Sequence, residues 1–130
     1  MAFYLDTSAL VKLVVAEAET EALQAWLAGA ERDPVACDLV RTELVRAVRR
    51  SAPDRMVRTR QVLDGLTLLD LTASVLDTAG RLDPPELRSL DALHISSALT
   101  LGDDLDGIVT YDGRLTATAE ANGVLALSPS

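Results

Sequence analysis

Four acidic residues stand where a chain could gather a polyanionic site. Asp6 closes the apolar run Ala2-Phe3-Tyr4-Leu5, and Asp112 stands just beyond Ile108-Val109-Thr110. Glu43 lies about one turn into an amphipathic segment, and Asp91 lies in the first turn of another, between Leu90 and Ala92-Leu93. A half-buried carboxylate is costly to ionise, and like charges beside it raise the cost. Four converging carboxylates therefore call for a cation, and oxygen-only donors select a hard divalent ion such as Mg²⁺ or Mn²⁺. The chemistry this suits is phosphodiester hydrolysis, with a polarised phosphoryl oxygen and a bound water of lowered pKa. Two ions about 3.5–4 Å apart would also steady both attacking and leaving oxygens. An acid after a strand or at a helix start serves equally well as a cap, so spacing alone leaves both readings open.

The elements that must position these acids alternate along the chain. Ala2–Asp6 reads as a buried strand, followed by a helix over Ser8–Val15 with Thr7 or Ser8 as its cap. Glu19–Ala30 has Ala22, Leu23, Trp26 and Leu27 at helical spacing. Pro34–Cys37 is a second strand, and Asp38 is placed to cap a helix over Leu39–Arg50, which Pro53 ends. A helix over Asp54–Asp64 stops at Gly65, Thr67–Asp70 is a strand, and Thr72 caps a helix from Ala73 to about Leu82. Ser89–Leu101 is a helix closed by Gly102, Gly107–Thr110 a strand, Gly113–Asn122 a helix closed by Gly123, and Val124–Leu127 a last strand. This order predicts an α/β fold with three layers, α/β/α, around a central parallel sheet of four to five strands. In such sheets ligands sit beyond the carboxyl ends of the strands, where Asp6 and Asp112 fall.

Composition bounds the rest. The chain has 130 residues, of which 48% are hydrophobic and 25% charged. That suits one domain over residues 1–130 with a single core, and it excludes intrinsic disorder. Aromatic residues make up only 3% (Phe3, Tyr4, Trp26 and Tyr111), which speaks against a base-stacking platform. Cys37 has no partner for an intramolecular disulfide, and no apolar stretch approaches about 20 residues, so a cytoplasmic, non-membrane protein is expected. The net charge is −8, which by itself argues against nucleic acid. It is unevenly spread. Residues 41–60 hold seven arginines (Arg41, Arg46, Arg49, Arg50, Arg55, Arg58 and Arg60) against Glu43 and Asp54, a net +5 that leaves −13 for the rest. Arg46, Arg49 and Arg50 lie within two turns of Glu43 and read either as a solvated helix surface or as candidates for phosphate contact. The only lysine, Lys12, is another, or is simply exposed.

The acids sit in motifs that resemble those of PIN-domain nucleases. Tyr4-Leu5-Asp6-Thr7-Ser8-Ala9-Leu10 resembles their opening, Thr42-Glu43 the second acid, Ser89-Leu90-Asp91-Ala92-Leu93-His94 the third motif, and Val109-Thr110-Tyr111-Asp112-Gly113-Arg114-Leu115 the fourth. They occur in family order across the whole chain, whose size is similar to that of the single-domain VapC toxins of toxin–antitoxin pairs. Between Arg50 and Leu68 the match is only architectural. The resemblance implies a Mg²⁺- or Mn²⁺-dependent endoribonuclease with Asp6, Glu43, Asp91 and Asp112 as its catalytic, metal-binding set. Thr7 or Ser8 and Thr110 would be hydroxyls that orient carboxylates or water. It further implies a homodimer, an RNA substrate and a cognate VapB-type antitoxin, with a C-terminal segment laid across the acidic groove.

Blander readings fit the remaining residues. His94 follows Asp91 by three positions, yet an oxygen-rich site has no need of imidazole, so local packing or hydrogen bonding is expected of it. Asp103, Asp104 and Asp106 precede the fourth strand at the end away from Asp112 and read as solvated loop charges. Cys37 reads as a small buried apolar residue and Trp26 as core or interface. A receiver-type signalling module needs an acid pair after its first strand and a lysine after its last, and a haloacid-dehalogenase-like phosphatase needs Asp-x-Asp; Asp6-Thr7-Ser8 supplies neither. An RNA-processing nuclease without a toxin role, or a catalytically silent RNA-binding module, keeps the same fold.

Overall fold

The first strand is apolar on both faces, so it needs cover on both. In the computed structural model, which describes residues 1–130, β1 is Ala2–Leu5 with all four residues buried. Phe3 and Leu5 enter one core cluster, while Ala2 and Tyr4 enter the other. The alternation is the two-residue period of a strand, and burial on both sides is the mark of a parallel sheet between helix layers. The chain continues through α1 (Thr7–Val14), α2 (Thr20–Ala28), β2 (Asp33–Cys37), α3 (Val40–Ser51), a 3-10 turn at Pro53–Arg55 and α4 (Met56–Asp64). Then come β3 (Thr67–Leu69), α5 (Ala73–Gly80), α6 (Ser89–Leu99), a 3-10 turn at Gly102–Asp104, β4 (Leu105–Val109), α7 (Gly113–Ala121) and β5 (Ala126–Leu127).

The five strands are all parallel, in the order β3-β2-β1-β4-β5. The chain steps outward from β1 to β3, returns past β1 to β4, and continues to β5. Crossovers of one hand then put the helices of the outward run on one face and those of the return run on the other. Accordingly Leu10, Leu23, Leu44 and Leu63 from α1 to α4 pack on Phe3 and Leu5. Ile95 and Leu115 from α6 and α7 pack on Tyr4, and α5 leans on α6, where Ser96 Oγ donates to the Val75 carbonyl at 2.7 Å. The direction of the chain reverses at β1, which makes the carboxyl ends of β1 and β4 the usual ligand position in open α/β sheets.

Two glycines have a definite task here. Gly107 lies where β4 is tightly flanked, and a Cβ there would sit 3.2 Å from the Leu125 carbonyl and 3.5 Å from the Phe3 ring. Gly123, at φ 74°, takes the left-handed turn that ends α7. Element ends shift by one or two residues from the sequence reading, and two caps differ from it. The first helix begins at Thr7 because the Asp6 carboxylate, rather than a Thr7 or Ser8 hydroxyl, accepts from Ala9 N. Asp38 does not cap α3; its carboxylate pairs with Arg41 at 2.9 Å. Asp103 and Asp104 are exposed in the turn at the amino end of β4, as loop charges should be, whereas Asp106 is half-buried within β4 itself.

The arginine-rich segment divides. Arg55 Nε and Nη2 donate to the Val14 carbonyl at 3.1 and 3.0 Å, and Arg58 Nε donates to the Leu13 carbonyl at 3.1 Å. These cations serve the free carbonyls at the end of α1, where the helix dipole favours positive charge. Replacing Arg55 and Arg58 by Ala is expected to lower unfolding free energy by about 1–2 kcal/mol in urea titrations. The far-ultraviolet spectrum should be unchanged.

Candidate functional site

Each of the four acids falls in the first turn of a helix or caps it. Asp6 caps α1, Asp112 caps α7 through Arg114 N, Glu43 lies in the first turn of α3 and Asp91 in that of α6. The positive ends of four helix dipoles thus face the acidic groups, each offsetting part of their mutual repulsion. The capping reading and the site reading of these residues are therefore compatible, since one carboxylate can do both.

Asp6 is the most enclosed of the four, with 5% of its surface exposed. Its Oδ1 accepts from Ser8 Oγ at 2.6 Å and Ala9 N at 3.1 Å, and its Oδ2 accepts from Thr110 Oγ1 at 2.6 Å. Burial raises its pKa, against the pull of these hydrogen bonds. The two hydroxyls are themselves held in place, Ser8 Oγ accepting from Tyr111 N and Thr110 Oγ1 from Asp112 N. The loop that carries Asp112 is thereby pinned to the residues that hold Asp6. Ser8 and Thr110 are placed as carboxylate-orienting hydroxyls.

Glu43 is held from two sides. Thr7 Oγ1 donates to its Oε1 at 2.8 Å, and His94 Nε2 lies 2.7 Å from the same oxygen. His94 is buried, and its Nδ1 is 2.7 Å from Tyr4 Oη and 3.9 Å from Cys37 Sγ. Burial opposes a charge on the ring, yet its partners Cys37 and Glu43 outweigh this and raise the pKa to about 10. With both ring nitrogens protonated, one donates to Tyr4 and the other to Glu43. For Glu43, burial acts upward, but the His94 and Thr7 contacts prevail and its pKa is lowered. This pair joins α3 on one face of the sheet to α6 on the other, past the end of β1. Sequence reading expected a locally bonded His94 and missed its bond to Glu43. The three-residue step from Asp91 was the only signal, because the partner lies 51 positions away.

Asp91 is half-buried, and burial followed by the charge of nearby Asp112 raises its pKa. Its two oxygens have no hydrogen bond within the protein; neither has Glu43 Oε2 or Asp112 Oδ2, since Arg114 N takes only Oδ1. The four acids lie along one sheet edge, but no three of them form a group that could hold one ion between them. Lys12 departs from expectation. Its side chain is buried, with Nζ 2.7 Å from Glu19 and 4.7 Å from the centre of the Tyr111 ring, so it is neither exposed nor free for phosphate. Arg46, Arg49 and Arg50 are exposed on α3.

Comparison with known proteins points one way. The PIN domain family profile matches residues 3–121. The chain is 42% identical over 130 residues to Ribonuclease VapC47 of Mycobacterium tuberculosis, covering 97% of this chain and 96% of that one. It is also 42% identical to Ribonuclease VapC46 of the same species, covering 99% and 98%. Among solved structures, M. tuberculosis VapC20, described as a Sarcin-Ricin loop cleaving toxin, superposes with a TM-score of 0.72 at 18% identity over 98% of this chain and 99% of that one. VapBC2 from Rickettsia felis, solved with a promoter DNA fragment, gives 0.75 at 16% identity over the whole of both chains. These two likenesses concern the fold.

The His94–Glu43 pair should show in stability against pH. His94→Gln is expected to cost about 1–3 kcal/mol, because a partly buried carboxylate loses its charged donor. The raised His94 pKa contributes fully below its ordinary value of 6.5 and is lost as pH rises toward about 10. The lowered Glu43 pKa contributes above its ordinary 4.5 and is lost in acid. Urea titrations with a chelator should therefore give a wild-type advantage that is largest near about pH 5.5 and shrinks by about pH 9.5. A flat difference would remove the imidazolium–carboxylate account.

Proposed function

The chain belongs to the PIN domain family, and on that premise we propose that it is a metal-dependent endoribonuclease acting as the toxin of a VapBC-type toxin–antitoxin pair. The observation that carries the chemistry is the placing of four carboxylates near the carboxyl ends of β1 and β4, Asp6 and Asp112 as caps and Glu43 and Asp91 in the first turn, each on its own helix. The ribonuclease reading rests also on relatives at 42% identity named as VapC ribonucleases. Toxin–antitoxin complexes among the structural neighbours support an antitoxin partner.

The donor chemistry fits a divalent ion. The site offers hard oxygen donors only, because both His94 nitrogens are engaged and Cys37 lies behind Tyr4. Mg²⁺ commonly takes one or two carboxylates and completes its shell with water and substrate phosphate, so a tight three-acid cage is not required. One or two of these carboxylates at a time would hold such an ion, through the free oxygens of Asp91, Asp112 and Glu43 or the remaining lone pair of Asp6 Oδ2. A bound Mg²⁺ or Mn²⁺ supplies Lewis-acid polarisation of the scissile phosphate and a more acidic water. The protein's own part is orientation. Ser8 and Thr110 fix Asp6, while Thr7 and His94 occupy one oxygen of Glu43 and turn the other free. A VapB-type antitoxin with a basic segment across the acidic groove, a homodimer, an RNA substrate and a cytoplasmic setting complete the proposal. No helix is long and apolar enough to cross a membrane.

Asp6→Asn and Asp91→Asn should each lower RNA cleavage by at least about 100-fold in the presence of Mg²⁺ or Mn²⁺. Both should stay folded. At position 6 the Thr110 hydroxyl can turn to accept from the new amide and donate to Ser8 Oγ, 3.3 Å away. Wild-type activity in either variant would exclude these residues from the site. Millimolar Mg²⁺ should raise the melting temperature of the wild type by mass action, and raise it less in Asp91→Asn. Identical shifts would move the ion elsewhere.

A further inference from the structure

We propose that Arg46, Arg49 and Arg50 on α3 form a phosphate-binding site that grips the RNA backbone beside the acidic site. The naming of RNA as ligand rests on the endoribonuclease reading; the anion site itself rests on geometry. Of the seven arginines in residues 41–60, Arg41 is paired with Asp38, Arg55 and Arg58 serve the end of α1, and Arg60 stands exposed and unpaired on α4. Arg46, Arg49 and Arg50 have no ion pair and no hydrogen bond within the protein. They line a concavity of about 230 Å³ to which no other residue contributes.

Such a grouping is unfavourable without a ligand. Arg46 stands three and four positions before Arg49 and Arg50, so the like charges face one another along the helix. The dipole at the end of α3 offsets part of this for Arg49 and Arg50, which lie in its last turn, but no carboxylate pairs with any of the three, whereas a phosphodiester entering between them would. Guanidinium groups match phosphate oxygens in bidentate fashion and desolvate more readily than an ammonium. The helix supplies the register. Val40, Leu44 and Val48 form its buried stripe, and Glu43 borders that stripe on the flank that carries Arg46 and Arg50. The arginines follow Glu43 by three to seven residues, about 4.5–10.5 Å along the axis. At about 3.4 Å or more per nucleotide, that is one to three phosphates from a bond held at the carboxylates.

The same charges could meet an acidic peptide. The absence of any hydrophobic lining favours the nucleic acid. A peptide interface normally gains its affinity from apolar anchors in pockets, while phosphate contacts need none. The site also answers the problem posed by a net charge of −8, since a polyanion needs one local cationic hold to approach an acidic chain.

The test is fluorescence anisotropy with a mixed-sequence, single-stranded oligoribonucleotide across a salt series, using Asp6→Asn with a chelator to silence cleavage. Adding R46A, R49A and R50A together should weaken binding tenfold or more at low salt and lower the slope of log affinity against log salt by about 2. The corresponding triple Lys variant should keep the slope and bind several-fold more weakly, because charge remains and the fork is lost. An unchanged melting temperature in both variants confirms that the fold is intact. An unchanged slope, or no measurable RNA binding by the parent, overturns the proposal. So does a triple Ala variant that loses binding only to polyglutamate, which would assign the site to an acidic peptide. Cleavage by the wild type is followed in parallel. A lowered slope without wild-type cleavage would sink the nuclease reading alone, and cleavage with an unchanged slope would sink this site alone.

Discussion

Asp6 has to satisfy a buried carboxylate at the point where the chain leaves the sheet. Its backbone N–H still pairs with the Val109 carbonyl of β4, its own carbonyl already accepts from Leu10 of α1, and its side chain takes Ser8, Ala9 N and Thr110. A single residue thus fixes the first strand, the strand beside it and the first helix. A charge of this kind is stable inside a protein only with full hydrogen bonding. The hydroxyls at positions 8 and 110 and the exposed N–H groups of a helix start supply it. Because Ser8 and Thr110 also receive the backbone N–H groups of Tyr111 and Asp112, the geometry of the fourth acid follows from the satisfaction of the first.

The remaining acids follow a related logic. Helix starts are the places where a fold carries positive partial charge without a cationic side chain. Four of them open on the carboxyl edge of this sheet, and each presents an acid. Glu43 gains a second compensation in His94, whose imidazole is anchored in turn by Tyr4, itself bonded to Cys37 N at 3.2 Å. The result is graded: burial raises the pKa of Asp6 and Asp91, while a cationic partner lowers that of Glu43. Carboxylates of unlike proton affinity at one edge suit a site that must both bind a cation and handle a water proton.

The net charge takes on a different meaning once the partners are known. Three of the seven arginines are structural, holding the end of α1 or pairing with Asp38 on the helix surface. Lys12 is committed to Glu19 beneath Tyr111. What remains free and clustered is a short flank of α3 continuous with Glu43. The acidic body and the basic flank are therefore two regions of one surface rather than an average.

The sequence by itself determined the alternation of strands and helices, the parallel sheet, and three of the four acid positions as ends of elements. These depend on local periods, on caps such as Thr72, and on left-handed stops at Gly102 and Gly123. Such signals are read within one or two turns of the residue that carries them. Only the tertiary structure decided which side chains meet. The Glu43–His94 bond spans 51 residues and both faces of the sheet, and the Asp6–Thr110 bond spans 104. The sorting of seven similar arginines into caps, a surface pair, a free cluster and the lone Arg60 is likewise invisible in a string. Local preference decides the element a residue joins, but the partner is chosen by the crossing of strands and the reversal of direction at β1.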